Sequence, residues 1–124
     1  MSLKSILLTL LVSLFLTGCN RTVPVRNFEN NAFPSQLTLE QAETAILKGC
    51  IKLGWQCQKV SPGKIAGTLN IRDHMLQVDI IHTQSNFSVM YHDSANLKYN
   101  GTKIHRQYVN WSLNLVRTIN AEAL

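Results

Sequence analysis

Three consecutive residues, His92, Asp93 and Ser94, have the residue types of a hydrolase triad. In such a triad a histidine deprotonates a serine hydroxyl, and a carboxylate orients the histidine. Adjacent residues cannot easily point at one reacting atom, and no G-x-S-x-G turn accompanies them. We therefore interpret the tripeptide as a polar turn. The alternative is a small hydrolase or ligand-binding enzyme that uses His92, Ser94 or His105.

The histidines also have the residue type of metal ligands, but none of them shows a tight spacing such as H-x-x-x-H. They are His74, His82, His92 and His105. We predict no metal site and no cofactor. The sequence favours a protein that is not an enzyme.

A second group of residues has types that dominate the energetics of protein interfaces, among them Tyr, Trp and Arg. Two of them flank a predicted hairpin tip, and the others lie in the last loop and at the start of the last helix. The predicted binding surface consists of Arg72, His74, Asn96, Tyr99 and His105. Tyr108 and Trp111 share these types, but their helical spacing predicts core positions.

The chain starts with one basic residue, Lys4, and a leucine-rich run over residues 6–16. This arrangement is typical of a signal peptide, and the run is shorter than the roughly 20 residues that span a bilayer. It ends in the segment LTGC, residues 16–19, which resembles the lipobox of bacterial lipoproteins. In those proteins the cysteine receives a diacylglyceryl group and becomes the first residue after cleavage. We predict a lipoprotein signal peptide over 1–18 and lipid attachment at Cys19.

The segment after this cysteine, residues 19–36, is rich in Asn and contains two prolines without a helical or strand period. We predict a lipidated flexible tether there and a small α+β domain over 37–121. Lys4 is the only charge in residues 1–18, so 11 of the 12 basic residues remain against 7 acidic residues. This mild excess favours anionic neighbours such as lipid headgroups, lipopolysaccharide or acidic protein faces. Nucleic acid is a poor candidate for an exported chain without a basic run.

Helical periodicity appears twice. Thr38 and Gln41 form a predicted capping box, an apolar stripe follows, and Gly54 ends the first helix. A second amphipathic helix is predicted from Lys103 onward. Its stripe contains Ile104, Tyr108, Trp111, Leu115 and Ile119.

Between the helices the apolar residues alternate, which predicts four strands joined as an antiparallel meander. A two-residue loop at residues 72–73 would pair Leu69 with Leu76 and Ile65 with Ile80. A four-residue loop would keep the same residues on the buried face, so both loop lengths remain alternatives. The sequence predicts an α+β two-layer sandwich in the order helix, four-stranded antiparallel meander, helix, with both helices on one sheet face.

Two cysteines remain besides Cys19. Cys50 lies on the apolar face of the first helix, and Cys57 lies in the strand that follows it. An oxidising compartment permits a disulfide between them. The alternative is two buried thiols that pack as small apolar residues.

The lipobox combined with several short motifs resembles a family of small lipoproteins from Gram-negative bacteria for which no activity is established. The motifs are GW at 54–55, PGKI at 62–65, R-x-H at 72–74, S-x-N-L-x-Y at 94–99 and IH at 104–105, with Tyr108 and Trp111. The resemblance covers roughly residues 38–120, and Cys50 and Cys57 depart from the small or aliphatic residues usual there. In the resembling lipoproteins an Asp after the lipidated cysteine often retains the protein in the inner membrane. Asn20 at this position implies the periplasmic face of the outer membrane.

These observations lead to one expected function. The protein is expected to be a lipid-anchored lipoprotein of the cell envelope whose domain acts as a non-catalytic binding or structural module. Its expected partners are membrane lipid, through acylated Cys19, and another envelope protein or an anionic envelope component.

Overall fold

The computed structural model describes residues 21–124, so the predicted signal peptide and Cys19 lie outside the described residues. The described elements follow in the order β1 (Thr22–Pro24), β2 (Phe28–Ala32), α1 (Leu39–Leu53), β3 (Gln56–Ser61), β4 (Lys64–Ile71), β5 (His74–His82), β6 (Asn86–Ala95), β7 (Lys103–His105) and α2 (Gln107–Glu122). One sheet has the strand order β2-β6-β5-β4-β3, and β1 and β7 form a second, two-stranded sheet. All pairings are antiparallel. The predicted α+β class is confirmed, but the predicted sheet of four strands is wrong, because β2 adds a fifth.

The segment before α1 is where the sequence prediction fails most clearly. Residues 19–36 are predicted to lack strands, yet β1 and β2 both lie there. Phe28 and Phe33 are each only 6% exposed, and the Phe33 ring stacks on Phe87 with the ring centroids 5.1 Å apart. The described part of the predicted tether is therefore packed onto the domain, since these two aromatic side chains complete the core beside β6.

Helix α1 has the predicted capping at both ends. The Thr38 hydroxyl accepts the Gln41 N–H at 3.1 Å, and the Gln41 side chain accepts the Thr38 N–H at 3.0 Å. Gly54 then adopts φ +79°, a left-handed conformation that glycine enters without steric cost. The predicted capping box and the predicted end of the helix are confirmed.

The β4–β5 hairpin has the predicted register. Leu69 is paired with Leu76 and Ile65 with Ile80. Because Ile71 is paired with His74, the loop has two residues, and the four-residue alternative is wrong. The inward-facing residues of this hairpin form the centre of the sheet's buried face.

One hydrophobic core joins both helices to the sheet. From the helices it contains Ala42, Ala45, Ile46, Cys50, Tyr108, Leu115, Val116 and Ile119, and from the central strands Ile65, Leu69, Leu76, Val78, Ile80, Phe87 and Val89. The strand residues alternate along each strand, so the helices cover one face of the sheet. The helices also pack on each other, and a Cβ at Gly49 would lie only 2.9 Å from Ile119 Cγ1.

Helix α2 begins at Gln107, later than the predicted start at Lys103. Residues 103–105 form β7 instead and pair with β1. Ile104 is buried as predicted, but from a strand. The buried face of α2 contains Tyr108 and Ser112, whereas Trp111 is only half-buried beside it. Trp111, which is predicted to be a core residue, packs against the core from its edge, because Ser112 takes the central position on this face of α2.

Cys50 and Cys57 form a disulfide in the structure, with their Cα atoms 6.2 Å apart. Cys50 is buried in the last turns of α1, while Cys57 lies in β3, the edge strand of the large sheet. The bridge therefore connects α1 to β3, an edge strand that pairs only with β4.

Candidate binding surface

A concavity of about 500 Å³ lies beside the β4–β5 turn. We call its lining the tip surface, which consists of Asp73, His74, Ser94, Asn96, Leu97, Lys98 and Tyr99. The turn, the end of β6 and the loop after β6 each contribute to it. Three of the five residues of the predicted binding surface, His74, Asn96 and Tyr99, therefore meet around one depression.

Hydrogen bonds hold the β4–β5 turn to the loop after β6. The Asn96 side-chain amide donates to the Asp73 carbonyl at 3.1 Å and lies 3.3 Å from Asp73 Oδ2. His74 Nδ1 lies 2.8 Å from the Asn96 carbonyl oxygen. A carbonyl only accepts, so Nδ1 donates and carries the proton. The other ring nitrogen, His74 Nε2, lies 3.6 Å from Asp73 Oδ1.

The loop after β6 has an unusual backbone. Asn96 and Lys98 have φ values of +59° and +55°, and both side chains are exposed. Left-handed conformations are costly for residues with a Cβ and persist only where the surroundings enforce them. Leu97 between them is 2% exposed, and its carbonyl accepts the His105 N–H at 2.7 Å. The buried Leu97 thus holds its two neighbours in fixed, outward-facing positions.

Aromatic rings connect the tip surface to the core. The Tyr99 ring lies 4.6 Å from the Tyr91 ring, which meets the Tyr108 ring edge-on at 5.7 Å. The Tyr91 hydroxyl is 2.7 Å from Ser94 Oγ. Burial raises the pKa of Tyr91, so the phenol stays protonated at neutral pH. Tyr99 is 43% exposed, and its ring forms the solvent-exposed side of this aromatic cluster.

Trp111 lies beside the tip surface. Its ring centroid is 6.0 Å from that of His74, with the planes tilted by 50°. Because Trp111 is half-buried, part of the indole is available to a partner. Trp111 therefore lies at the boundary between the core and the candidate binding surface.

His105 takes a structural position next to this surface. Its Nδ1 accepts the Gln107 N–H at 3.1 Å, which satisfies one of the free N–H groups in the first turn of α2. Burial lowers the pKa of His105, and the positive charges of Lys98 and Arg21 lower it further. A neutral ring is required for this contact, because protonated Nδ1 cannot accept a hydrogen bond.

We expect His105→Gln to weaken the pH dependence of stability. The pKa of His105 is lower in the folded chain than in the unfolded chain, where it is about 6.5. The stabilisation from neutral His105 is therefore complete above that pH and is lost as the pH falls toward the lower, folded pKa. Urea unfolding at a series of pH values should show wild type losing more stability on acidification than the variant. Equal losses would contradict this assignment.

Arg72, another residue of the predicted binding surface, lies in the same turn. It has φ +54° and an exposed side chain at the hairpin tip. It is the first of the two loop residues, where a left-handed conformation matches the twist of a tight hairpin. Arg72 flanks the tip surface without lining the concavity.

The three residues of the alternative hydrolase prediction have separate partners. His92 Nδ1 lies 2.9 Å from Asp79 Oδ2 on the neighbouring strand, at a register shift of the β5–β6 ladder. Ser94 contacts Tyr91, and His105 accepts the N–H at the start of α2. No histidine is paired with Ser94 by these contacts. The triad geometry that would let a histidine deprotonate the serine is not formed by this set.

A polar cluster around the buried His82 was not predicted from the sequence. The His82 side chain is 0% exposed, and its Nε2 lies 3.5 Å from Glu43 Oε1. Lys59 Nζ lies 3.3 Å from the other carboxylate oxygen of Glu43. The alternation of Leu76, Val78 and Ile80 extends to His82, so the strand period could have placed this histidine in the core.

Comparisons with known proteins leave the resemblance to small lipoproteins as a prediction. No protein-family model matches the chain, and neither a curated protein nor a solved structure matches it significantly. Within residues 21–124, no helix is long and apolar enough to cross a membrane.

Proposed function

We propose that this protein is a lipid-anchored lipoprotein of the Gram-negative cell envelope, attached through Cys19, and that its α+β domain is a non-catalytic binding module. The binding site is the tip surface together with Trp111. The observation that carries the binding assignment is that the β4–β5 turn and residues 94–99, which are distant in the sequence, form one concavity, with Tyr99 in its lining and Trp111 beside His74.

The tip surface has the features of a preorganised recognition site. His74 and Asn96 are held by hydrogen bonds to each other and to the turn, and Leu97 fixes the strained loop from below. The side chains of His74 and Asn96 therefore have little freedom left to lose on binding, which favours affinity. The polar groups are used to hold the surface in shape, and this supports recognition over acid–base chemistry.

The envelope location follows from the lipobox and its next residue. Two or three acyl chains on Cys19 would anchor the chain firmly, since each buried CH₂ contributes about 0.8 kcal/mol. Asn20 in place of aspartate favours the periplasmic face of the outer membrane. The binding partner would then be another envelope protein or an anionic component of the envelope.

The anchor is tested by Cys19→Ser. Cells given radiolabelled palmitate should label the wild-type protein, and the variant should take up no label because it lacks the acceptor thiol. The mass of the purified wild-type protein should correspond to a chain that begins at a lipidated Cys19. The double variant Cys50→Ser, Cys57→Ser is the matched control and should label like wild type. Wild-type protein without label would refute the lipoprotein assignment.

A further inference from the structure

Basic residues that are scattered along the chain come together at one end of the domain. The Arg106 N–H donates to the Arg21 carbonyl at 2.9 Å, so these two residues are neighbours. The His105 N–H donates to the Leu97 carbonyl at 2.7 Å, which brings Lys98 to the same place. Lys98, Arg21 and Arg106 all lie close enough to His105 to lower its pKa, after the larger effect of burial. We call Arg21, Lys98 and Arg106 the basic cluster.

The basic cluster is far from the acidic residue at the other end of α2. Glu122 pairs with Lys52 at the C-terminal end of this 16-residue helix, about 24 Å from Arg106. The acidic residue of the tip surface is Asp73, which faces His74. Asp93 also lies next to the tip surface, where its side chain accepts the Ser94 N–H. The three cations of the basic cluster therefore outnumber these two nearby carboxylates.

The basic cluster also lies where the chain arrives from the predicted lipid anchor. Cys19 is two residues before Arg21, and two extended residues span at most about 7 Å. Electrostatic interactions in physiological salt extend over a Debye length of about 8 Å. β1 follows Arg21 directly and pairs with β7. Within the described residues, Arg21 is therefore joined to the folded domain without a long linker. Arg21 is thus held within electrostatic reach of the headgroups around the anchor.

We infer that the basic cluster and the adjoining tip surface dock on anionic phospholipid headgroups of the membrane that holds the acyl chains. This inference rests on the proposed lipid anchor and names the partner of the proposed binding site. Lys98 belongs to both the basic cluster and the tip surface. Tyr99 in the tip surface and Trp111 beside His74 present partly exposed aromatic rings. Such side chains combine an apolar body with a polar atom that suits the headgroup region.

The test measures binding of the chain from residue 19 onward, with Cys19→Ser, to sedimented vesicles. Vesicles of phosphatidylcholine are compared with vesicles that also contain phosphatidylglycerol, at low and high salt. Removing the acyl chains makes the result independent of the anchor. Two triple variants remove equal charge from different places: R21Q/K98Q/R106Q in the basic cluster and K48Q/K64Q/R117Q elsewhere. Arg106 makes no side-chain cap of α2, so its replacement leaves the helix start intact. Thermal unfolding checks that each variant is folded.

Wild type should bind the vesicles that contain phosphatidylglycerol and be released by high salt. The basic-cluster variant should bind roughly a hundredfold more weakly, since each Lys or Arg near an anionic surface contributes several-fold to the affinity. The control variant should bind much more tightly than the basic-cluster variant. Absence of binding to phosphatidylglycerol would overturn the inference and leave an envelope protein as the partner. Equal weakening in both variants would overturn it too, because net charge alone would then explain binding. Failure of the anchor is seen separately, in the palmitate experiment.

Discussion

Replacing Tyr108 by alanine is expected to cost about 3–5 kcal/mol of unfolding free energy. The side chain is 0% exposed, packs against the rings of Phe28 and Tyr91, and donates its hydroxyl proton to the Arg26 carbonyl. Burial raises the pKa of Tyr108 to about 12, so the hydroxyl remains a donor throughout the physiological range. Since small domains often have only about 5 kcal/mol or slightly more in total, the variant should be largely unfolded or fail to accumulate. Urea unfolding of the purified domain measures the loss.

Two matched variants separate the causes of this loss. Tyr108→Phe keeps the ring and should lose only about 1 kcal/mol, the typical contribution of one hydrogen bond. Trp111→Ala removes a ring that is half-buried at the edge of the core, and should cost clearly less than Tyr108→Ala. If Trp111→Ala destabilised the domain as strongly as Tyr108→Ala, the indole would be a core anchor, and its assignment to the binding surface would fail.

The elements that sequence analysis predicts correctly are those with local signals. The ends of α1 are marked by Thr38, Gln41 and Gly54, whose interactions involve residues only a few positions away. The β4–β5 register follows from alternating apolar residues on both sides of a short loop. In such cases the residues that decide the structure lie within one stretch of sequence.

The missed strands depend on distant partners. Thr22 is paired with His105, and Phe28 with Val89, so the strands form because another part of the chain is present. A strand of three residues is too short to show a period. Asn30 in β2 has φ +57°, and the ladder shifts register between Phe28 and Asn31. That irregularity removes the alternation that would have indicated a strand.

The candidate site is only partly visible in the sequence for a similar reason. Residue types suggested His74, Asn96 and Tyr99, but the hydrogen bonds that unite them come from the fold. Trp111 and Ser112 are three and four positions after Tyr108, and both spacings fit a helix. The sequence prediction included Ile104 in the helix, and the resulting apolar stripe placed Trp111 at its centre. In the structure Ile104 lies in β7, and Ser112 is the fully buried residue. The choice depends on the rotation of α2 against the sheet.

The basic cluster was the hardest feature to predict, because its residues are far apart in the sequence. Arg21 precedes β1, and Arg106 lies just before α2, so no run of basic residues appears in the sequence. The β1–β7 pairing brings the two together. The β1–β7 pairing thus creates a charged surface directly after the predicted anchor. A flexible tether would instead have held these basic residues at variable distances from the anchor.

The double variant Cys50→Ala, Cys57→Ala is expected to lose about 2–3 kcal/mol of unfolding free energy, from the loop-closure entropy of a short ring. The two cysteines are seven residues apart, and Trp55 between them is buried, with its Cε3 atom 3.5 Å from the position of a Cβ on Gly67. The bridge restricts the unfolded chain and holds the edge strand β3 against the end of α1. Urea unfolding of the wild-type protein and the variant, followed by tryptophan fluorescence, measures the difference.

Reduction provides the control for this prediction. A thiol reductant should lower the stability of the wild-type protein toward that of the double variant, and should leave the variant unchanged because no bridge remains to break. Mass spectrometry decides whether the bridge exists after export. Protein taken from the envelope, denatured and alkylated without reductant should carry no alkyl group on Cys50 or Cys57. Alkylation of both residues would show two free thiols, and the buried Cys50 would then act only as a small apolar side chain.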